Sequence, residues 1–377
     1  MSGIQVVAYY LPQFHPTPEN DEWWGKGFTE WVNVAKARPL FRNHRQPHIP
    51  ADLGFYDLRM PEARAMQAEY AKRAGISAFC YWHYWFGNGK RLLNKPFDAV
   101  LRSHEPDFPF CLGWANHSWY KKSWTADKGL FNISQSQLLV EQLYPGKVDY
   151  VNHFYTMLPA FNDKRYFCIE NRPVFVIFQP LGDYKQGGKQ AVLEFMECWQ
   201  ELARKEGIPP FFFIGHCVYA HQLMEIQSMG FDAVNYSMHH MVFPVNDNYS
   251  NRLMTMMTKL RRSFSIKPTV IDYADAVKKM DVDIWNEETI FPTLIPNWDH
   301  TPRSGNFGRV YINSTPQLFA KHAEAICRRV SLKADRNKVV FLKSWNEWGE
   351  GNYLEPDLEY GTERIDALAA VLKKYKK

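Results

Sequence analysis

Short apolar runs bounded by Gly, Pro or Asn recur along the whole chain, and stretches with apolar residues at helical spacing lie between most of them. Continuous or alternating apolar runs mark strands, and a 3.6-residue period marks amphipathic helices. Eight runs read as strands: residues 4–10, 76–81, 110–114, 174–178, 211–217, 233–236, 290–295 and 339–344. Helical spacing covers residues 61–74, 96–103, 150–161, 191–206, 221–229, 269–280, 315–330 and 362–376. Several of these segments carry suitable ends, with Pro61 in a first turn and Gly75, Gly207 and Gly230 just past a last one. Eight strands alternating with eight helices is the arithmetic of an α/β fold of the (β/α)8, or TIM-barrel, kind. An open doubly wound sheet is the alternative, but no GxGxxG follows the first run. There is no linker rich in Gly, Ser or Pro and no low-complexity segment. The expected organisation is one (β/α)8 domain over residues 1–377, with elaborated βα loops after the first, third and sixth strands.

Composition narrows the partners. A net charge of +5 with no block of like charges before the lysine-rich tail at 373–377 does not argue for nucleic acid. The six cysteines are widely spaced and form no CxxC pair, which fits small core hydrophobes in a reducing compartment. The amino terminus enters an apolar strand without a basic leader, and no later run reaches the ~18 apolar residues of a membrane span. A cytoplasmic location is therefore expected. The stretch Leu253-Met254-Thr255-Met256-Met257-Thr258-Lys259-Leu260-Arg261-Arg262 mixes methionines with basic residues and can be read as a peripheral membrane contact, although an ordinary packed helix is the preferred reading. Aromatic content is high, with 13 Trp, 20 Tyr and 26 Phe, which reads equally as a stacking surface or as a Trp-rich core.

In a barrel of this kind chemistry sits at the carboxyl ends of the strands, so the residues just after each apolar run are the informative ones. The first run ends in Tyr9 and Tyr10, with Gln13 beyond; the second leads to Trp82 and His83; the third to Trp114, Asn116 and His117. The fifth carries His216, the sixth Tyr236, and the seventh leads to Trp298 and Asp299. Each alone is more often a packed or capped residue than a ligand. Together they offer rings to stack on sugar C–H faces, and amides and imidazoles to bond hydroxyls. The loop after the first strand adds Glu30 and Trp31 as lining candidates.

The last run opens onto Ser344-Trp345-Asn346-Glu347-Trp348-Gly349-Glu350-Gly351-Asn352-Tyr353-Leu354-Glu355. Glu347 and Glu350 are three positions apart, and a sharp turn at Gly349 would let both face one pocket, with Trp345, Asn346 and Trp348 beside them. Such a pair suits glycosidic-bond chemistry, which needs one acid and one base or nucleophile. One of the two is expected to have a raised pKa from its aromatic surroundings and the other's charge. No HExxH or thiolate set argues for a metal, and Pro47 disfavours a helix that would align His44 with His48; no GxSxG elbow is present.

Trp345-Asn346-Glu347-Trp348-Gly349-Glu350-Gly351, with Tyr9-Tyr10-Leu11-Pro12-Gln13-Phe14 and Gly27-Phe28-Thr29-Glu30-Trp31, resembles the WbsX-like proteins of bacterial O-antigen and polysaccharide clusters. These proteins are often labelled glycosyltransferases and are related to glycoside hydrolase family 99, the endo-α-mannosidases. The resemblance spans nearly the whole chain. It implies a (β/α)8 barrel and retaining hydrolysis of an α-mannoside without metal or organic cofactor. It also implies Glu347 as the base that draws the proton from the substrate's 2-hydroxyl, giving an epoxide-like intermediate, and Glu350 as general acid and then base. Family 99 proper usually has His at the position of Gly349. The leading expectation is a retaining glycoside hydrolase acting on an α-linked, mannose-like unit of a bacterial oligo- or polysaccharide. A glycosyltransferase and a non-catalytic glycan-binding protein are the alternatives. For the transferase, Asp281-Val282-Asp283 is the one DxD pattern, placed at a helix end.

Overall fold

A computed structural model, which describes residues 3–121, 137–183, 186–240, 242 and 267–376, closes eight parallel strands into a barrel. They are β1 (Gln5–Tyr10), β2 (Ala78–Trp85), β3 (Phe110–Trp114), β4 (Arg172–Ile177), β5 (Phe212–Cys217), β6 (Ala233–Tyr236), β7 (Ile290–Leu294) and β8 (Val339–Leu342). Each pairs with the next, from Val7 opposite Ala78 onward, and β8 returns to β1 with Ala8 opposite Leu342. Closure leaves these strands no free edge. The helices are α1 (Pro18–Trp24), α2 (Glu30–Lys36), α3 (Pro61–Ala74), α4 (Lys95–Ser103), α5 (Lys147–Phe161), α6 (Gly188–Lys205), α7 (Ala220–Gln227), α8 (Tyr273–Met280), α9 (Thr301–Ser304), α10 (Pro316–Val330) and α11 (Glu363–Lys373).

Each expected strand is present, and the departures have local causes. β2 runs on to Trp85 because His83 still pairs with Trp114 of β3, after which Tyr84 and Trp85 pair antiparallel with Leu92 and Arg91. The segment 269–280, expected as one helix, is a strand followed by a helix. The β-branched Thr269, Val270 and Ile271 pair with Arg309–Ile312 in a small parallel sheet, and Asp272 then caps α8 by accepting a hydrogen bond from Ala274 N. The loop after β1 folds into α1 and α2, with Thr17 capping α1 through Asn20 N. The loop after β3 forms an antiparallel pair, Trp119–Lys121 with Gln137–Val140. Leu253–Arg262 lies outside the described residues, and no described helix is long and apolar enough to cross a membrane.

The strands' two-residue period decides which side chains can reach the barrel's mouth. Tyr9 points inward, and its hydroxyl donates to Asn235 Oδ1 across the barrel at 2.7 Å. Tyr10, one residue on, points outward and donates to Gln67 of α3 at 2.6 Å. Outward-facing rings pack under the helices. Trp199 and Phe195 of α6 are fully buried against Phe175 of β4, and each such ring contributes about 1.5–3 kcal/mol by leaving water.

Candidate active site

At the carboxyl ends of the strands lies a cleft of about 930 Å³, near the upper end of the ~300–1,000 Å³ usual for ligand pockets. Gln13, Glu30, Trp82, His117, Glu347 and Glu350 all line it. Its mouth is aromatic: Trp23, Trp24 and Phe28 come from the β1 loop, Trp119 and Tyr120 from the β3 loop, with Tyr84 and Phe178 between them. Trp23 and Trp119 meet edge to face at 6.0 Å. These rings offer flat apolar faces of the kind that stack on sugars.

The floor is built by the chain leaving β8. Asn346–Glu347 pairs back on Asn352–Tyr353, and a single tight turn, Trp348–Glu350, closes the hairpin. Asn346 binds both backbone groups of Leu11, accepting from its N at 2.7 Å and donating to its O at 3.0 Å, so the ends of β1 and β8 are fixed to each other. The sharp reversal expected at Gly349 occurs at Gly351, which has a left-handed φ of 58°. Gly349 is needed for space instead. A Cβ there would run into Glu30 Oε1 and stand 2.8 Å from Glu30 Cδ and 3.0 Å from Arg303 Nε.

Arg303, on the one-turn helix α9, gathers three carboxylates from distant parts of the chain. Its Nε donates to Glu30 Oε1 at 2.9 Å, and its Nη1 reaches Glu350 Oε1 at 2.5 Å and Glu347 Oε1 at 3.3 Å. Since both catalytic candidates touch one nitrogen through Oε1, those two oxygens can be no further apart than the two distances combined. Ser344 Oγ donates to Glu347 Oε2 at 3.1 Å, Asn352 Nδ2 donates to Glu350 Oε2 at 3.1 Å, and His300 Nε2 stands 3.5 Å from Glu350 Oε1.

This arrangement separates the two acids. Burial and the neighbouring Glu350 charge raise the pKa of Glu347. Burial also works against the Glu350 carboxylate, but Arg303, then His300 and Lys343, outweigh it and hold Glu350 well below the usual range. These opposed directions make Glu347 the more readily protonated of the two. Beneath the turn, Trp348 stacks on Tyr353 at 3.7 Å and donates to Glu355 Oε2 at 2.6 Å. Glu355 also accepts from Tyr56 and Gln67. Burial pushes its pKa up to about 7 against these donors.

The remaining residues singled out from sequence sit behind the cleft, committed to protein partners. Tyr9 stacks on Trp82 at 4.5 Å and supports it from below. His216 stacks on Phe178, with Nδ1 2.8 Å from Asn235 Oδ1. Asn116 braces Tyr144 and the backbone of Gln179. Tyr10, His83, Trp114 and Tyr236 face outward, His83 meeting His153 of α5 at 2.7 Å and Trp114 packing on Phe195. Trp31 is wedged among Phe14, Tyr56 and Trp348, Trp345 lies against Phe79, and Trp298 tilts against His239. Asp299 positions the site from behind. It accepts from Thr301 N and Oγ1 to start α9, accepts from Gln46 Nε2, and lies 2.7 Å from His44 Nε2. Among the described residues no group of three or more His, Cys, Asp or Glu side chains is arranged to hold a metal ion.

Sequence reasoning did not single out Arg303, Lys343, His300 or Tyr84. The family described as Glycosyltransferase WbsX matches residues 6–368. The chain is 32% identical over 374 residues to "Uncharacterized protein WxcX" from two strains of Xanthomonas campestris pv. campestris, covering 97% of this chain and 49% of the relative. It thus spans about half the length of these curated relatives. Among solved structures, a "Glycoside hydrolase-like protein" aligns over 100% of this chain and 95% of its own, with a TM-score of 0.57 and 15% identity. The GH99 endo-alpha-mannosidase from Bacteroides thetaiotaomicron aligns over 98% and 97%, with a TM-score of 0.53 and 13% identity. At those identities the likeness is one of fold.

Proposed function

The chain belongs to the WbsX glycosyltransferase family, and from that membership and the glutamate pair in its cleft we propose that it is a carbohydrate-active enzyme, a retaining glycoside hydrolase cleaving an α-linked, mannose-like unit of a bacterial polysaccharide or O-antigen glycan. The observation that carries this reading is the meeting of Glu347 and Glu350 on one guanidinium nitrogen, at the floor of an aromatic-walled cleft. Retention by the substrate-assisted route begins with Glu347 taking the 2-hydroxyl proton while Glu350 protonates the departing glycosidic oxygen. The C1–O bond to the leaving group breaks as the C1–O2 bond forms. Water, deprotonated by Glu350, then opens the epoxide-like ring at C1, and Glu347 returns its proton to O2. A positioned acid or base of this kind contributes about 10²–10⁴ in rate.

The scheme needs a protonated Glu350 as the acid, and the Arg303 contact favours its carboxylate, so bound substrate would have to loosen the grip of Arg303 on Glu350. Trp82, Trp119 and Trp23 would hold the sugar rings, with Gln13 and His117 bonding hydroxyls. Six unpaired cysteines support placing the protein in the cytoplasm, a reducing compartment.

A transferase uses the same acid–base pair with a sugar hydroxyl in place of water, and the family's description favours keeping that reading second. Asp281 and Asp283 do not support a nucleotide-sugar metal site, since both pair with Arg329 at 2.8 and 3.0 Å. Incubation with α-linked manno-oligosaccharides, with products followed by NMR, tests the proposal. A new reducing end released first as the α-anomer supports retention; release as the β-anomer shows inverting hydrolysis and removes the retaining mechanism, and transfer to an added acceptor glycan without release of a free reducing end removes the hydrolase reading.

A further inference from the structure

Lys343 is the first residue after β8 and lines the cleft beside Glu347, with 7% of its surface exposed. Among the described residues its ammonium has one partner, the face of Trp298 at 5.7 Å. Glu347 and Glu350 both feel its charge, yet they are drawn onto Arg303, and neither comes within ion-pair distance of it. Arg303 has Glu30 and Glu350 within 3 Å, whereas Lys343 meets the charges of Glu347 and Glu350 only from beyond ion-pair distance.

A nearly buried ammonium with no carboxylate in direct contact keeps hydrogen-bonding capacity that a ring face and more distant charges only partly satisfy. A sugar hydroxyl arriving at Lys343 supplies a dipole; an anion supplies a full opposite charge and a charge-assisted hydrogen bond. We propose that Lys343, assisted by Arg303, recognises an anionic group on the bound saccharide next to the reacting linkage, so that the substrates are acidic glycans carrying a uronic carboxylate or a phosphate ester. The inference rests on the cleft being a saccharide site and adds the class of saccharide. The same anion would compete with Glu350 for Arg303, which is the loosening that the proposed chemistry requires.

Calorimetric titration of the wild-type protein with matched pairs tests it: methyl α-mannopyranoside against its uronate and against its 6-phosphate, with the corresponding gluco and galacto sets. At least one acidic sugar is expected to bind roughly tenfold or more tightly than its neutral parent, with the preference shrinking as salt is raised. Lys343→Met, shown folded by its thermal melt, should bring the ratio close to one, while Lys343→Arg should keep most of it. The uronate and phosphate arms distinguish the two sources of charge. Equal binding of acidic and neutral sugars by the wild type, or a preference that survives in Lys343→Met, overturns the inference. Charge preference without turnover of any glycoside would uphold it while removing the hydrolase reading; turnover of neutral glycans with no preference for acidic ones would do the reverse.

Discussion

The carboxylate of Glu30 occupies the space that any side chain at position 349 would need. Glu30 and Gly349 are far apart in sequence, and together they let Arg303 reach both Glu347 and Glu350. A His at this position, usual in family 99 proper, does not fit this arrangement. Gly349→Ala is therefore expected to push Glu30 aside, cost about 1–3 kcal/mol as overpacking does, and lower activity. Combining it with Glu30→Ala should cost less than the two separate losses summed. Chemical denaturation of the four proteins of this cycle checks the coupling; additive losses would mean that the two positions do not compete for space.

Removing Arg303 leaves three carboxylates together without their cation. Breaking a buried ion pair costs roughly 3–5 kcal/mol, and less is expected here because 23% of the Arg303 side chain is exposed. Glu350 is held below its unfolded value, so its contribution to stability is present above that value and lost as pH falls through the lower, folded one. Arg303→Met should thus be least stable relative to wild type at neutral pH, with the gap narrowing in acid. Urea melts across pH report this directly, and a gap independent of pH would assign Arg303 a packing role.

Glu355 has the opposite sign. Burial pushes its pKa up to about 7, above the ~4.3 of an exposed glutamate. The native state holds this proton more tightly, so the Glu355 contribution is greatest below the lower value, declines as pH rises through that window and is flat above it. The change is on the order of 3 kcal/mol. Wild type should lose stability relative to Glu355→Gln over that window, and parallel profiles for the two would show that Glu355 does not titrate there.

The aromatic mouth should act on length. Trp119 meets Trp23, Tyr84 and Phe86 edge on in the aromatic wall of the cleft. Trp119→Ala is expected to weaken long oligosaccharides about tenfold while leaving a simple glycoside little changed. Equal losses for both would place Trp119 at the reacting sugar.

The barrel was legible because each strand is a short apolar run with its own punctuation. The sequence pattern ends β2 four residues short because Trp82-His83-Tyr84-Trp85 is aromatic and polar enough to pass for a loop, although Trp82 and His83 still pair with Gly113 and Trp114, and Tyr84 and Trp85 with Leu92 and Arg91. The glutamate pair was legible as a motif, but its neighbours were only half so. Adjacent candidates such as Tyr9 with Tyr10, or Trp82 with His83, cannot both face the axis of a barrel. Arg303 left no local signal, since a lone arginine in a four-residue helix acquires meaning only from carboxylates at positions 30, 347 and 350. Lys343 did leave one: a charge at the end of an otherwise apolar parallel strand, where a run buried on both faces is expected to be apolar.

The central claim is that Glu347 and Glu350 carry out glycosidic chemistry in this cleft. The most direct measurement is turnover of a cleaved glycan by Glu347→Gln and Glu350→Gln, with sugar binding followed in parallel by calorimetry. Each variant should lose about 10²–10⁴ in rate while still binding the sugar; near-wild-type turnover by either one would contradict the claim.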